Sequence, residues 1–277
     1  MAQNSAIEWT HHTANFWWGC FKVSDGCKNC YADTLAKRYG KSIWGPVETT
    51  DRELKKGIWK DILKWDKQAG IEGVRRRVFV QSMADFLEDH PQVYPWREQA
   101  KEIILNLKNL DVLLLTKRPE NAKRFLADWM AQDAYGWPSH IWMGVSVENQ
   151  EMANKRIPEL LKIPAHIRFL SCEPLLGMIN LELIDGVFFD GGMPFDWQRI
   201  TPGIDWVIVG GESGPKARSM YPQWAMSLKN QCEAAGVAFF FKQWGEFKPI
   251  DDTALVRVGK KAAGRLLEGR EWNEFPT

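Results

Sequence analysis

Val78-Phe79-Val80-Gln81-Ser82-Met83-Ala84-Asp85 decides the fold: a short apolar β-rich run that ends abruptly in polar residues. The same grammar recurs along the chain, in Val112-Leu113-Leu114-Leu115, Ile141-Trp142-Met143-Gly144-Val145, Ile167-Arg168-Phe169-Leu170, Trp206-Val207-Ile208-Val209 and Val237-Ala238-Phe239-Phe240-Phe241. Near-continuous apolar runs are the mark of parallel strands covered on both faces; strands with one wet face alternate instead. Helical patterns lie between several of them. Pro119 opens a segment with Ala122, Phe125, Leu126 and Trp129 on one face, and Pro222 and Gly236 bracket another as first-turn proline and terminating glycine. Strands alternating with helices predict right-handed βαβ units. The expected fold is α/β, a parallel (β/α) barrel or partial barrel with six or seven strands, the first being Asn15-Phe16-Trp17-Trp18. One barrel-like domain is expected over residues 1–277, with a helical excursion at about 41–75 and a loop insertion at about 177–204. Ile58, Ile62, Leu63 and Trp65 give the excursion its apolar stripe, Arg75-Arg76-Arg77 reads as a solvated turn, and the tail after Asp251 as a short hairpin and cap.

In such folds chemistry collects at the carboxyl ends of the strands. Those ends read Gln81-Ser82-Met83-Ala84-Asp85, Thr116-Lys117-Arg118-Pro119, Ser146-Val147-Glu148-Asn149, Ser171-Cys172-Glu173-Pro174, Gly210-Gly211-Glu212-Ser213-Gly214 and Lys242-Gln243-Trp244-Gly245. Each alone is compatible with a helix cap or a turn. Six in succession predict a ring of functional groups at one mouth, with Lys117, Glu173 and Lys242 as candidate catalytic residues. Lys117, Arg118 and Lys242 are the cations available to the carboxylates gathered there.

Between the proposed first strand and the Val78 run lies Gly19-Cys20-(six residues)-Cys27-Lys28-Asn29-Cys30-Tyr31-Ala32, three cysteines within eleven residues; Cys172 and Cys232 stand apart. An odd cluster with two scattered thiols is a poor disulfide framework. Three soft ligands on one loop suit zinc or an iron–sulfur centre with one position left open, so Cys20, Cys27 and Cys30 are the candidate metal ligands. Tyr31 to Tyr39 reads as a helix, which places Cys30 at its N-terminus, where the dipole favours thiolate. Reduced structural thiols remain an alternative, as does a zinc module completed by His11 or His12.

The 277 residues carry a net charge of +1, 45% apolar and 26% charged residues, and 15 Trp. This composition suits a globular protein and argues against strongly electrostatic nucleic-acid binding, though a local basic patch is compatible with it. The sequence has no apolar run of membrane-spanning length and no secretory leader pattern, so a cytoplasmic protein without membrane contact is expected.

A three-cysteine loop over polar strand ends resembles the radical S-adenosylmethionine enzymes. The first gap is six residues where three is usual there, and Gly210-Gly211-Glu212 is similar to their methionine-contacting Gly-Gly-Glu, on a late strand. Ile7-Glu8-Trp9-Thr10, Gly19-Cys20 to Cys30-Tyr31-Ala32, Val78 to Asp85, Leu115 to Pro119, Gly144 to Asn149, Arg168 to Gly177, Gly210 to Pro215 and Phe240 to Gly245 resemble the phage-associated three-cysteine-motif family over nearly the whole chain. That resemblance implies a phage or prophage setting, a [4Fe-4S] cluster on Cys20, Cys27 and Cys30, S-adenosylmethionine as cofactor and a methyltransferase-like partner, but no substrate; a nucleobase, nucleotide or nucleic acid is expected from the phage context by association alone. Ser146, Glu148, Gly210, Gly211 and Glu212 are the expected cofactor-binding residues, with Glu148 accepting from ribose hydroxyls. The competing classes are a non-catalytic Cys3His zinc module and a metal-free barrel hydrolase working through Glu148, Glu173 and Glu212.

Overall fold

The computed structural model describes residues 5–130, 136–184 and 203–276. The elements in chain order are β1 (His12–Ala14), β2 (Trp17–Trp18), α1 (Tyr31–Arg38), β3 (Glu53–Leu54), α2 (Ile58–Glu72), β4 (Arg76–Val80), α3 (Tyr94–Leu105), β5 (Leu110–Thr116), α4 (Ala122–Phe125), α5 (Ala127–Met130), β6 (Ile141–Ser146), α6 (Gln150–Leu161), β7 (Arg168–Cys172), β8 (Trp206–Gly210), α7 (Pro222–Ala235), β9 (Ala238–Gln243), β10 (Phe247–Pro249), β11 (Leu255–Arg257) and α8 (Lys260–Ala263). Seven of the strands follow the order β1-β4-β5-β6-β7-β8-β9, a parallel α/β sheet of the partial-barrel class. Most of the expected loop insertion falls outside the described residues, since 185–202 are among those not described. The chain divides into two compact units, Met1–Gly144 with Ile163–His166, and Val145–Lys162 with Ile167–Thr277.

In the first unit β4 lies between β1 and β5, with Thr13 opposite Phe79 and Phe79 opposite Leu113. Val78, Val80, Val112 and Leu113 have no exposure, as double-sided cover requires. The first sheet strand is His12–Ala14, a few residues earlier than Asn15–Trp18. Asn15 leaves the sheet because its Oδ1 accepts the Met83 N–H at 2.8 Å, turning the chain across the end of β4. Trp17-Trp18 instead pairs antiparallel with Glu53-Leu54 in a separate two-stranded sheet. The excursion is helical over α2, whose buried Ile58, Ile62, Trp65 and Ala69 recur at helical spacing; Leu63 points outward, half-exposed, against its expected place in the stripe. Arg76 and Arg77 belong to β4 and not to a turn, and Arg75 clamps Asp111 on β5 at 2.7 Å.

In the second unit β8 lies between β7 and β9, and all five of its residues are buried. Pro222 is the first residue of α7 and Gly236 closes it at φ 65°, a left-handed conformation that costs glycine nothing. Asn149, and not Glu148, caps α6 by accepting the Met152 N–H at 3.0 Å. The hairpin is β10–β11, with Phe247 opposite Arg257, so it begins before Asp251. No helix among the described residues is long and apolar enough to cross a membrane.

Candidate functional site

The cysteine loop is built onto the end of β4. The Gly19 N–H donates to the Met83 carbonyl at 3.0 Å, and the Tyr31 hydroxyl donates to the Ser82 carbonyl at 2.9 Å. Cys27 ends a single 3-10 turn and Cys30 is the N-cap residue of α1, as the helical reading of Tyr31 onward requires. All five cysteines are free of disulfides; those of the loop are part-exposed, while Cys172 and Cys232 are buried. Burial pushes the Cys172 and Cys232 thiols well above their ordinary values, so both act as small apolar core groups.

Beneath the loop lies a buried ionic network. Arg118 Nη1 donates to Asp85 Oδ2 at 2.9 Å and to Cys20 Sγ at 3.6 Å, and its Nη2 donates to the Phe21 carbonyl. Glu88 accepts from Arg52 through both oxygens at 2.9 Å and takes the Phe21 N–H at 2.8 Å. Arg97 holds the Phe86 and Glu88 carbonyls. The charged side chains here are sealed, Arg52 at 0% and Glu88 at 2% exposure, while Cys20 at their edge is part-exposed. Burial would raise the Asp85 carboxyl, but Arg118, the Thr116 hydroxyl and the Lys117 and Leu87 N–H groups together hold it below its usual value. Burial, with Glu88 and Asp85 nearby, pushes the Cys20 thiol up to about 12 even with Arg118 opposing the rise; the guanidinium, though buried, is kept protonated by Asp85, Cys20 and Glu88. Lys117 is tied to the same carboxylate through its backbone, at 2.9 Å.

The donor set of Cys20, Cys27 and Cys30 fits a thiolate-ligated centre: three disulfide-free thiols on one loop, one of them facing a guanidinium. Among the described residues, however, no three His, Cys, Asp or Glu side chains are grouped to hold a metal. Cys20 Sγ points to the Phe21 carbonyl at 3.4 Å and Cys27 Sγ lies 3.8 Å from Ser24 Oγ. The three thiols are thus not gathered as a ligand set in this structure. The two histidines considered for zinc are engaged elsewhere. His12 is stacked on Trp65 at 4.7 Å, and His11 Nδ1 accepts the Arg77 N–H at 2.9 Å at the start of β4.

The second unit carries its own strand-end set. Lys242 Nζ donates to both oxygens of Glu173, at 2.7 and 2.9 Å, so these two candidate catalytic residues meet. Gln243 Nε2 adds 3.3 Å to Glu173 Oε1 and 2.9 Å to the Gly211 carbonyl. Gly211 is required here: a Cβ would stand 2.1 Å from the Trp244 carbonyl oxygen. Glu212 turns back on its own loop, gripped by the Arg218 side chain at 2.6 Å and its N–H at 2.8 Å. Glu148 differs most from expectation. It is fully buried, and Arg156 Nη1 bonds both its Oε2 at 2.9 Å and the Ser146 carbonyl at 2.8 Å. A carboxylate closed over in this way anchors the β6–α6 turn and offers no open acceptor to a ribose. Gly210 lies against Glu173, where a Cβ would approach the carboxyl carbon to 3.3 Å.

Arg52, Glu88, Arg156 and Arg218 were not legible as site residues. Glu88 alone carried a signal, three places after Asp85 at the same strand end. No curated protein and no solved structure matches the chain. A family match covers residues 4–276, nearly the full length, and the chain thus belongs to the DUF5131 family, described as proteins of unknown function.

Proposed function

We propose that this chain is an iron–sulfur enzyme of the radical S-adenosylmethionine type, with Cys20, Cys27 and Cys30 ligating a [4Fe-4S] cluster. The setting proposed is a phage or prophage, with a nucleobase or nucleotide as substrate and a methyltransferase-like protein as partner. The observation that carries the reading is the seat of Cys20. Its sulfur faces Arg118 at 3.6 Å, and that guanidinium is fixed by Asp85 on a sealed ionic platform. A loop held only for shape has no need of a buried cation beside one thiol; a thiolate ligand does, because burial otherwise favours the neutral thiol. Arg118 then supplies the hydrogen bond and positive charge that orient a ligating sulfur and temper the charge of the centre. A bound cluster of this kind supplies the electron for reductive cleavage of S-adenosylmethionine.

Both competing classes lack such support. The zinc module needs His11 or His12, but His11 Nδ1 takes the Arg77 N–H and His12 stacks on Trp65, with no thiolate beside either ring among the described residues. The hydrolase needs a carboxylate free to exchange protons, yet Glu148, Glu173 and Glu212 each have a cation of their own, Arg156, Lys242 and Arg218.

The test is anaerobic reconstitution with iron and sulfide, then addition of S-adenosylmethionine and dithionite. The expected result is 5′-deoxyadenosine from the wild-type chain and none from Cys27→Ala. An iron-loaded wild-type chain that yields no 5′-deoxyadenosine would reject the S-adenosylmethionine assignment.

A further inference from the structure

Cys20 and Cys30 are each followed by an exposed aromatic residue, Phe21 on a held stretch of backbone and Tyr31 tied through its hydroxyl. Phe21 is 42% exposed and Tyr31 53% exposed. The Phe21 N–H is held by Glu88 and its carbonyl by Arg118, both from the buried network. Tyr31 begins α1, and its hydroxyl is tied to the Ser82 carbonyl at 2.9 Å, so the ring is fixed at both ends. An apolar ring left in water forgoes the stabilisation of burial. The Tyr31 ring, held at both ends, also loses little entropy when something stacks on it.

The segment that carries the rings is cationic overall. From Phe21 to Lys41 the chain carries Lys22, Lys28, Lys37, Arg38 and Lys41 against Asp25 and Asp33, a surplus of three where the whole chain has a surplus of one. Asp33 is already shared by Lys22 at 3.1 Å and Lys37 at 3.0 Å. Lys28 and Arg38 are exposed and make no ion pair among the described residues.

We propose that this face of the cysteine loop and α1 binds single-stranded nucleic acid, its bases stacking on Phe21 and Tyr31 and its phosphates meeting Lys28 and Arg38. Exposed aromatic rings and unpaired cations on one short segment are the elements of a stacking platform. A duplex hides its base faces and could use only the charges. A protein partner would call for a contiguous apolar patch, whereas the exposed Phe21, Val23, Tyr31 and Tyr39 alternate along the chain with Lys22, Lys28 and Lys37. With so little net charge on the chain, stacking carries more of the affinity than phosphate contacts. For its chemistry this inference rests on the iron–sulfur reading, which it deepens by naming the substrate carrier; the binding itself does not depend on iron.

The experiment is fluorescence anisotropy with labelled DNA and RNA strands of about 15 nucleotides, and with the same DNA as a duplex. The full chain is titrated at low and moderate salt, metal-free and reconstituted, and every variant is checked for folding by its melting transition. Single strands should bind at least roughly tenfold more tightly than the duplex, as exposed base faces require. Phe21→Ser and Tyr31→Ser should each weaken binding by roughly 5- to 150-fold, whereas Phe21→Tyr and Tyr31→Phe should keep most of it. The surface variant Lys28→Gln/Arg38→Gln should reduce the salt slope by about 1–2. Ile71→Ser, on exposed α2, should change nothing. Equal or tighter duplex binding, no binding of single strands, or unaltered affinity in both serine variants would overturn the proposal. Normal strand binding by a chain that takes up no iron rejects the cluster reading alone; an iron-loaded chain that ignores single strands rejects this one alone.

Discussion

Replacing Arg118 by alanine is expected to destabilise the first unit by about 3–5 kcal/mol, the cost of stranding a buried carboxylate. Asp85 and Arg118 are 8% and 7% exposed, and Glu88, 3.9 Å from the same guanidinium, would also lose a cation. The thermal midpoint should fall by roughly 6–20 °C. Arg118→Lys should recover part of the loss, since it keeps the charge without the fork that reaches Asp85, Cys20 and the Phe21 carbonyl together. The double variant Asp85→Leu/Arg118→Met should be less damaged than Arg118→Ala, because no isolated charge is left at Asp85. The pH dependence follows from the lowered Asp85 carboxyl. Its folded value lies below the unfolded value of about 3.9, so the pair contributes fully above that pH and its contribution fades as pH falls through the folded value. Wild-type stability should therefore drop on acidification more steeply than that of Asp85→Leu/Arg118→Met, as read by denaturant midpoints across the acid range. Coincident acid profiles would show that the pair is not coupled to folding.

Glu148→Ala should cost about 3–5 kcal/mol in the second unit, for the mirror reason that it strands a buried guanidinium. Arg156 is 2% exposed, and after the change only the Ser146 carbonyl answers its Nη1. Glu148→Gln should cost less, since its amide oxygen can still accept from Arg156. Iron uptake per folded chain should be unchanged in both variants, because Glu148 is not among the proposed ligands. If Glu148→Ala melts as the wild type does, the anchoring role is wrong and an open, ligand-facing carboxylate becomes the better account.

These two residues also show what the sequence makes legible. Strands such as Val78–Val80 and Trp206–Val209 were readable because burial on both faces leaves a continuous apolar run, and the structure extends each by only one or two residues. The first strand was misplaced because Phe16, Trp17 and Trp18 are as strand-like as His12–Ala14. What sends them elsewhere is the distant contact of Asn15 with Met83, which periodicity does not encode. At the strand ends, residue type announced polar chemistry but not partners. Arg118 and Arg156 both lie close to acidic residues in space, yet their pairs with Asp85 and Glu148 are separated by 33 and 8 positions in the chain. Arg52 pairs with Glu88 across 36 positions and comes from a stretch read only as a helical excursion. Spacing identified the three cysteines as a set, whereas the buried guanidinium beside one of them emerges only from the fold.

The most direct measurement of the central claim is metal and sulfide analysis with visible absorption on anaerobically reconstituted wild-type chain and on Cys20→Ala, Cys27→Ala and Cys30→Ala. The account predicts a brown wild-type protein with absorbance near ~400 nm and roughly four iron and four sulfide per chain, and loss of both in each variant. A colourless wild-type chain that retains zinc, or iron uptake unaffected by all three substitutions, would contradict it.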